Sequence, residues 1–430
     1  MKIIADLHIH SRFSRATSQR MTIQEIARFA KMKGLNLVGT GDFTHPKWLR
    51  ELQENLADTL NNGLFTSAAA DNPVHFMISS EVSTIFTYRG DTKKIHHVVL
   101  TPNFDTATQI NERLARYGDL TVDGRPTLDM TATHLVEEIT DISKDNEVIP
   151  AHVWTPWFSL YGAFSGFNSI EDCYQDMTKH IHALETGLSS DPAMNWRLST
   201  LDRFTLVSNS DSHSPWPWRI GREANVFELE KPSYNLILDT IRRKDPTQLK
   251  LTIETNPAYG KYHWTGHRNC NVSLPPQQAM NMGNQCPICR RKLTKGVEQR
   301  VEELADRPAG FTPPNAIPYV HLLPLSEIIT AVLGASSPSV RTVWSVYQGL
   351  IGEFGSEYNV LLEASMETLS RNADLRIAQA IVRVREGRAQ VIPGYDGVYG
   401  QLNLLAEDTP KPRVGKIPQR TLTEWCGAPQ

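Results

Sequence analysis

The first 220 or so residues alternate between two hydrophobic patterns. Short apolar runs such as "KIIADLHIH" and "LNLVGTGD" have the composition of buried β-strands. Between them, "TIQEIARFAKMKG" repeats its apolar residues with a helical period, with Thr22 and Glu25 spaced as a capping box and Gly34 at the end. Further strand-like runs follow, separated by helical segments at 104–117 and 131–144. This order predicts an α/β fold with a parallel sheet, closed as a barrel or doubly wound.

The pattern changes after Pro246. The stretch from "LTIETNPAYG" to "NQCPICRRKLTKG" is typical of a zinc ribbon, and a proline-rich connector, "DRPAGFTPPNAIPY", leads into three helical segments. We therefore expect a barrel at 1–245, a zinc-ribbon-like module at 246–305, a mainly helical region at 306–405 and an exposed tail at 406–430.

Composition adds limits to this picture. The chain has 430 residues, 40% of them hydrophobic, which is enough for more than one core. Five cysteines, three of them clustered, suit metal binding in a reducing compartment better than a disulfide framework. We find no apolar run of signal-peptide or membrane-span length, so a cytoplasmic protein without a membrane partner is expected. The net charge of −3 excludes a basic field over the whole molecule, although a local patch can still bind a polyanion.

Ionisable residues follow the ends of the predicted strands. His8 and His10 end the first strand, and Asp211 and His213 follow a later one. Alternate residues of a strand share a face, so each pair is expected to point one way. The other residues of this series are Asp42, Glu81, His96, His97, His152 and Glu185. Imidazoles and carboxylates in this number, gathered at the C-terminal rim of a barrel, indicate a polynuclear metal site.

The motifs "DLHIHS", "SSEVS", "AHVW" and "SNSDSHS" occur in this order along the chain. In that respect the chain resembles the PHP (polymerase and histidinol phosphatase) family. Stretches such as "GLNLVGTGDFTHP", "SNSDSHSPWPWRIGREAN" and "CPICRRKLTKGVEQRVEELADR" make it similar, within that family, to the endonuclease Q enzymes. The resemblance implies a distorted (β/α)7 barrel with a di- or trinuclear metal centre.

The resemblance also implies a function. Endonuclease Q enzymes nick DNA on the 5′ side of deaminated bases (uracil, hypoxanthine, xanthine) and of abasic sites, so a DNA-repair endonuclease that leaves 3′-hydroxyl and 5′-phosphate ends is expected. A phosphomonoesterase acting on a small phosphate is the alternative, and a catalytically silent DNA-binding module is a third possibility. The oligomeric state is left open.

The family's ligand positions transfer to this chain residue by residue. Two or three divalent ions (Zn, Mn or Mg) are implied, with Asp211, His8 and Glu81 as the central catalytic residues. One ion would be held by His8, His10, Glu81 and Asp211, its neighbour by Glu81, His97 and His152, and a third by Asp42 and His213. His96 and His97 cannot share a strand face, and His97 is preferred. Arg15 stands where many family members have an aspartate, which weakens the third site and makes Arg15 a candidate phosphate-binding residue.

An enzyme that selects deaminated bases gains by flipping the nucleotide into a pocket. Candidate pocket residues lie beside the strand ends: Leu188, Ser189, Ser190, Ser208, Asn209 and Ser210. An aromatic wedge that fills the vacated stack could be Trp154, Trp157 or Tyr161.

The segment with "HRNC" and "CPIC" predicts a structural zinc site. Its ligands would be His267, Cys270, Cys286 and Cys289, with His263 as a possible substitute for His267. Residues 250–300 contain eight Lys or Arg, Lys261 among them, against two Glu. A basic zinc module attached to a phosphoesterase barrel indicates the DNA backbone as partner.

Two further patterns lie near the C-terminus. Arg383, Arg385 and Arg388 could line a DNA cleft, or simply form a solvated helix end. In the tail, Gln419, Leu422 and Trp425 have the spacing of a peptide that binds a sliding clamp, with one aromatic residue rather than two.

Overall fold

The fold is described by a computed structural model for residues 1–67 and 74–404. The first twelve strands are β1 (Lys2–Asp6), β2 (Leu37–Gly39), β3 (Leu56–Ala57), β4 (Phe65–Ser67), β5 (His75–Tyr88), β6 (Asp91–Thr101), β7 (Thr127–Leu128), β8 (Glu147–Pro150), β9 (Ala183–Glu185), β10 (Thr205–Val207), β11 (Ala224–Glu228) and β12 (Leu249–Glu254).

Seven of these strands follow one another around a ring. Strands β1, β2 and β5 are parallel, β6 runs antiparallel between β5 and β8, and β9 is parallel to β10. Backbone bonds link the remaining neighbours: Val153 N donates to Glu185 O at 2.9 Å, and His10 N donates to Ser212 O at 2.9 Å. The arrangement is consistent with the predicted seven-stranded barrel, and the reversed strand β6 is its main distortion.

The barrel has an apolar interior and a helical outer layer. Interior residues include Ala5, Leu7, Leu37, Met77, Val98, Leu100, Ile149, Ala183 and Val207. The helices of the outer layer are α1 (Ile23–Lys33), α2 (Pro46–Asn55), α3 (Phe104–Leu114), α4 (Ala132–Ile142), α5 (Ile170–Tyr174), α6 (Pro192–Asn195) and α7 (Tyr234–Arg243). The predicted boundaries of α1 are confirmed, because Thr22 accepts a bond from Glu25 N and Gly34 adopts a left-handed conformation with φ 97°.

The zinc-module segment contains the hairpin β13 (Thr265–His267) and β14 (Val272–Leu274), followed by α8 (Pro276–Asn281) and α9 (Val297–Leu304). It has a small core of its own, formed by Val272, Ala279, Cys286 and Leu293. Strand β12, expected at the start of this module, pairs instead with β11 in the large sheet, where β15 (Tyr319–His321) joins it. The boundaries at 245, 305 and 405 stay predictions.

The last described region is mainly helical. It contains α10 (Leu325–Leu333), α11 (Arg341–Phe354), a helical turn (Asn359–Glu363), α12 (Met366–Asn372), α13 (Leu375–Arg385) and the hairpin β16 (Gln390–Ile392) and β17 (Gln401–Asn403). Short helical turns elsewhere are Gln175–His180, Ser199–Leu201, Pro257–Tyr259 and Arg268–Cys270. In residues 1–67 and 74–404, no helix combines the length and apolarity that crossing a membrane requires. The tail and its clamp-binding candidates lie outside the described residues.

A buried ion pair joins the barrel to the C-terminal helices. Lys33, at the end of α1, places its Nζ 2.6 Å from Oε1 of Glu357, and both side chains are almost fully buried. Glu357 also accepts bonds from Leu325 N at 2.9 Å and from the Tyr347 hydroxyl at 2.9 Å. Since a buried charge is costly without its partner, this pair ties the two regions together only while both members are present.

We expect Lys33→Met to lower the free energy of unfolding by about 3–5 kcal/mol, because it leaves the Glu357 carboxylate buried without its cation. Urea denaturation measures the loss. The double variant Lys33→Met, Glu357→Gln removes both charges, keeps a bond acceptor for Leu325 N and should recover most of the stability. A single-variant loss below about 1 kcal/mol would contradict the assigned role of the pair.

Candidate metal centre

Four predicted ligands meet at the C-terminal end of β1. His8 and His10 extend from this strand and point their Nε2 atoms at Glu81 Oε2, at 3.6 and 3.1 Å. The same Nε2 atoms lie 3.7 and 3.0 Å from Asp211 Oδ1. One donor atom from each of the four residues therefore fits within a space 4.8 Å across. This first donor group agrees residue for residue with the expected set.

A second donor group adjoins the first and shares Glu81 with it. Oε1 of Glu81 lies 2.8 Å from His96 Nδ1 and 3.0 Å from His152 Nε2. Glu81 thus directs one carboxylate oxygen to each group, which is the geometry of a bridging ligand. The structure places His96, rather than the expected His97, among these donors.

The strand register explains the difference between the two histidines. On β6, Val98 lies opposite Glu81 and His96 lies opposite Ser83, so His96 and Glu81 share the inner face of the sheet. His97 lies opposite Val82 and points outward, where its ring is 5.7 Å from that of Tyr174. Burial in these surroundings lowers the pKa of His97 to about 3, so it stays neutral.

Two further carboxylates orient the first pair of histidines. Both oxygens of Glu185 contact His8 Nδ1, at 3.1 and 3.0 Å, and Asp42 Oδ1 contacts His10 Nδ1 at 3.0 Å. A carboxylate on one ring nitrogen fixes the tautomer and aims the other nitrogen, as in many metal sites. Asp42 Oδ2 is fully engaged by Ser11 and Ser14 at 2.6–2.8 Å. Asp42 therefore lies outside both donor groups.

The other residues expected at a third ion are at the rim of the centre. The ring of His213 is 4.4 Å from that of His10, and its Nδ1 is 2.9 Å from the Asp211 carbonyl. The Arg15 side chain is exposed, with Nε 3.4 Å from Asp123. Neither joins a donor group within the described chain, so a third ion stays a prediction.

Arg125 is a site residue that sequence analysis missed. It lies in the loop before β7, and its Nη1 is 3.0 Å from Glu81 Oε2. No motif in the sequence marked this arginine. Glu185, by contrast, was part of the strand-end series but had been given no role.

The electrostatics of the centre attract positive charge. Burial alone would lower the pKa of His8 and of His10, but the surrounding carboxylates outweigh it and raise both, so a divalent ion would displace protons from these imidazoles. Burial alone would raise the pKa of Glu81, but His96 and Arg125 outweigh it and hold that pKa well below its usual range. Burial lowers the pKa of His96 to about 4, so this imidazole is neutral at pH 7. In the described chain the buried Nε2 of His8 has no hydrogen-bond partner. A buried, partnerless nitrogen beside ionised carboxylates fits a divalent cation.

The expected base-pocket residues are mostly engaged in holding the fold. Asn209, for example, donates to Glu185 Oε2 at 2.9 Å and accepts from Leu7 N at 2.9 Å. The fully buried members of the predicted set are Ser190, Ser208, Asn209, Ser210, Trp154 and Tyr161. Ser189 is half-buried. Leu188 lines a cavity of about 720 Å³ between the barrel and the C-terminal region.

Charged and aromatic side chains border that cavity. Arg219, Glu327 and Tyr399 are among its lining residues. Lys261 places its Nζ 4.7 Å from the centre of the Tyr399 ring. Trp157 is 39% exposed and is the one wedge candidate at the surface.

The four predicted zinc ligands converge. His267, Cys270, Cys286 and Cys289 each offer a donor atom within 4.8 Å of the others. Sγ of Cys289 is 3.4 Å from His267 Nδ1. His263 faces away, with its Nε2 3.4 Å from Glu298, so His267 is the better ligand.

The lesion-specific endonuclease PfuEndoQ from Pyrococcus furiosus is 34% identical to this chain, with a TM-score of 0.84 over 95% of this chain and 98% of its own. The chain belongs to the endonuclease Q family. A second endonuclease Q structure, in complex with a 27-mer duplex that has an abasic lesion at the active site, is also 34% identical, with a TM-score of 0.82 over 94% of this chain and 96% of that one.

Sequence relatives extend the family. YqxK of Bacillus subtilis is 28% identical over 411 residues, which cover 93% of this chain and 99% of that protein. MJ0043 of Methanocaldococcus jannaschii is 32% identical over 255 residues, or 58% of this chain, and the match spans 31% of that longer protein. The family model for the MJ0043 C-terminal domain matches residues 324–388, which include α10 to α13.

Two adjacent histidines provide a matched test of the second donor group. We expect His96→Leu to weaken Mn²⁺ binding at that group more than about 100-fold, because it removes a donor rather than a partner of a donor. His97→Leu should leave binding within about twofold, since that ring points away from the centre. Calorimetric titration of both variants with Mn²⁺ measures the two affinities. A greater loss of Mn²⁺ affinity in His97→Leu than in His96→Leu would contradict the assignment of His96 as the donor.

Proposed function

We propose that this protein is a metal-dependent DNA endonuclease that nicks the strand 5′ of deaminated bases (uracil, hypoxanthine, xanthine) and of abasic sites. The observation that carries the proposal is the pair of donor groups sharing Glu81, in a chain that aligns over 95% of its length with a lesion-specific endonuclease. The products would be 3′-hydroxyl and 5′-phosphate ends.

The donor groups support two divalent ions of Zn, Mn or Mg. His8, His10, Glu81 and Asp211 would hold one, and Glu81, His96 and His152 the other. When bound, such ions supply a hydroxide nucleophile at neutral pH and neutralise the charge that develops on phosphate oxygens. Glu185 and Asp42 keep the His8 and His10 rings aimed at the centre.

Two arginines are suited to the substrate's phosphates. Arg125 reaches the centre itself, with part of its side chain exposed, so its guanidinium can hold the scissile phosphodiester beside Glu81. Arg15 lies further out on the rim, where it would contact a neighbouring phosphate.

The damaged nucleotide would leave the duplex before it is cleaved. The flipped base would enter the cavity that Leu188 lines, because Leu188 follows strand β9, whose last residue, Glu185, contacts the donor His8. Ser189, the next residue along the chain, would lie at its edge. Trp157 would stack in the gap, and Lys261 with the basic zinc module would hold the backbone. The tail residues Gln419, Leu422 and Trp425 would bind a sliding clamp.

A nicking assay tests the activity. Matched duplexes carrying one uracil, one hypoxanthine, one abasic site or no lesion are incubated with the protein and Mn²⁺. We expect cleavage 5′ of each lesion and none of the intact duplex, and at least about a 1,000-fold lower rate for Asp211→Asn, because a charged ligand becomes neutral. Release of phosphate from a generic monoester, with no nicking, would favour the small-phosphate alternative.

A structural zinc ion in the Cys3His cluster is the second testable element. His267→Ala should lower the zinc content by about one ion per chain and destabilise the module, since the remaining three ligands leave the tetrahedral site open. The control is His263→Ala, which removes a nearby imidazole that faces Glu298. If His267→Ala kept its zinc and His263→Ala lost it, His263 rather than His267 would be the ligand.

A further inference from the structure

The segment after the metal donor Asp211 is held from two sides. We call residues 214–222 the Asp211 loop. On the barrel side Asp6 accepts bonds from Ser210 N at 3.0 Å and from Gly221 N at 2.8 Å. One carboxylate on β1 therefore anchors the chain just before Asp211, at Ser210, and again near the end of the loop, at Gly221.

On the other side the anchor is the C-terminal region. The Tyr358 hydroxyl donates to Gly221 O, and the Tyr358 side chain is 98% buried. Lys33 Nζ donates to Pro217 O at 2.9 Å while it is paired with Glu357. Two consecutive residues, Glu357 and Tyr358, thus hold two carbonyls of the loop, one through Lys33 and one directly.

The loop is closely packed at Gly221. Gly221 has φ 61°, and a Cβ there would lie 2.9 Å from Lys33 Cγ and 3.0 Å from Leu35 Cδ1. Its N–H and its carbonyl are both engaged, on opposite sides. A shift of Tyr358 would therefore be transmitted to Gly221 and along the loop.

Aromatic packing adds to the contact between the Asp211 loop and the C-terminal helices. Trp216 and Trp218 of the loop stack with ring centres 5.4 Å apart and planes 5° apart. Trp218 in turn meets the edge of Trp344 on α11 at 6.0 Å. The loop side chains are therefore packed against the same helical region that supplies Tyr358.

We infer that the C-terminal helical region positions the metal donor Asp211, with Tyr358 and Glu357 as positioning residues. The inference rests on the proposed function for its activity readout, but its geometry does not. Asp211 Oδ1 lies 3.0 Å from His10 Nε2, and the Asp211 backbone has φ 47°, in the left-handed region that few residues other than glycine, asparagine and aspartate adopt. The region matched by the model of the MJ0043 C-terminal domain would thus help to fix the position of Asp211 without supplying a donor itself.

The test is Tyr358→Phe, which removes one hydroxyl and keeps the ring. The matched control is Tyr234→Phe: Tyr234 is equally buried, and its hydroxyl donates to a backbone carbonyl, Asp145 O, at 2.6 Å. Asp145 precedes β8 and so lies at the other end of the barrel strands. Both variants lose one buried tyrosine bond and should lose similar thermal stability.

We expect Tyr358→Phe to raise the Mn²⁺ concentration for half-maximal nicking by about tenfold, while the KM for DNA stays unchanged. Tyr234→Phe should match the wild type in its Mn²⁺ dependence and in its KM for DNA. Equal Mn²⁺ dependence of the two variants would overturn the inference, whatever their stability.

Calorimetric Mn²⁺ binding separates this inference from the proposed function. If the wild-type protein nicks no DNA, the proposed function fails, yet weaker Mn²⁺ binding in Tyr358→Phe than in Tyr234→Phe still supports the positioning role. Glu357→Gln adds a second variant, which should also bind Mn²⁺ more weakly than Tyr234→Phe does. Unchanged Mn²⁺ binding in Glu357→Gln rejects the role of Glu357, and unchanged Mn²⁺ binding in Tyr358→Phe rejects the inference.

Discussion

The carboxylate of Glu81 is the group on which the rest of the structure depends. One of its oxygens faces His10 and the other faces His96 and His152. It is fully buried on a long strand whose neighbour runs antiparallel. Burying a charge at this depth costs several kcal/mol unless cations or donors surround it, so the fold must supply them from other strands. Closing the barrel is therefore what brings the partners of Glu81, which come from several strands, around its carboxylate.

Two successive sets of side chains surround the donors and hold them in place. Glu185 and Asp42 orient the histidines, and Asn209 and two serines hold those carboxylates in turn. Polar networks in a low-dielectric interior stabilise a structure only when all members are partnered, which explains why the serine and asparagine side chains near the strand ends are engaged rather than free for a substrate.

Sequence reasoning located most of the centre, because His8 and His10 obey the two-residue period of a strand and the family motifs placed Glu81, His152 and Asp211. The choice between His96 and His97 depended on the register of β6 against β5, which residue types do not reveal. Arg125 comes from a loop whose path is set by tertiary contacts, and the Lys33–Glu357 pair joins residues more than three hundred positions apart. In the described part of the chain, α1 and its caps followed local rules and were predictable; these long-range placements were not.

The most direct test of the account is the location of bound metal. Crystals grown with Mn²⁺ and measured at its absorption edge should show two anomalous peaks about 4 Å apart, one on each side of Glu81, with His96 on the peak shared with His152. A single peak, or two peaks with Glu81 bound to neither, would contradict the central role of this carboxylate.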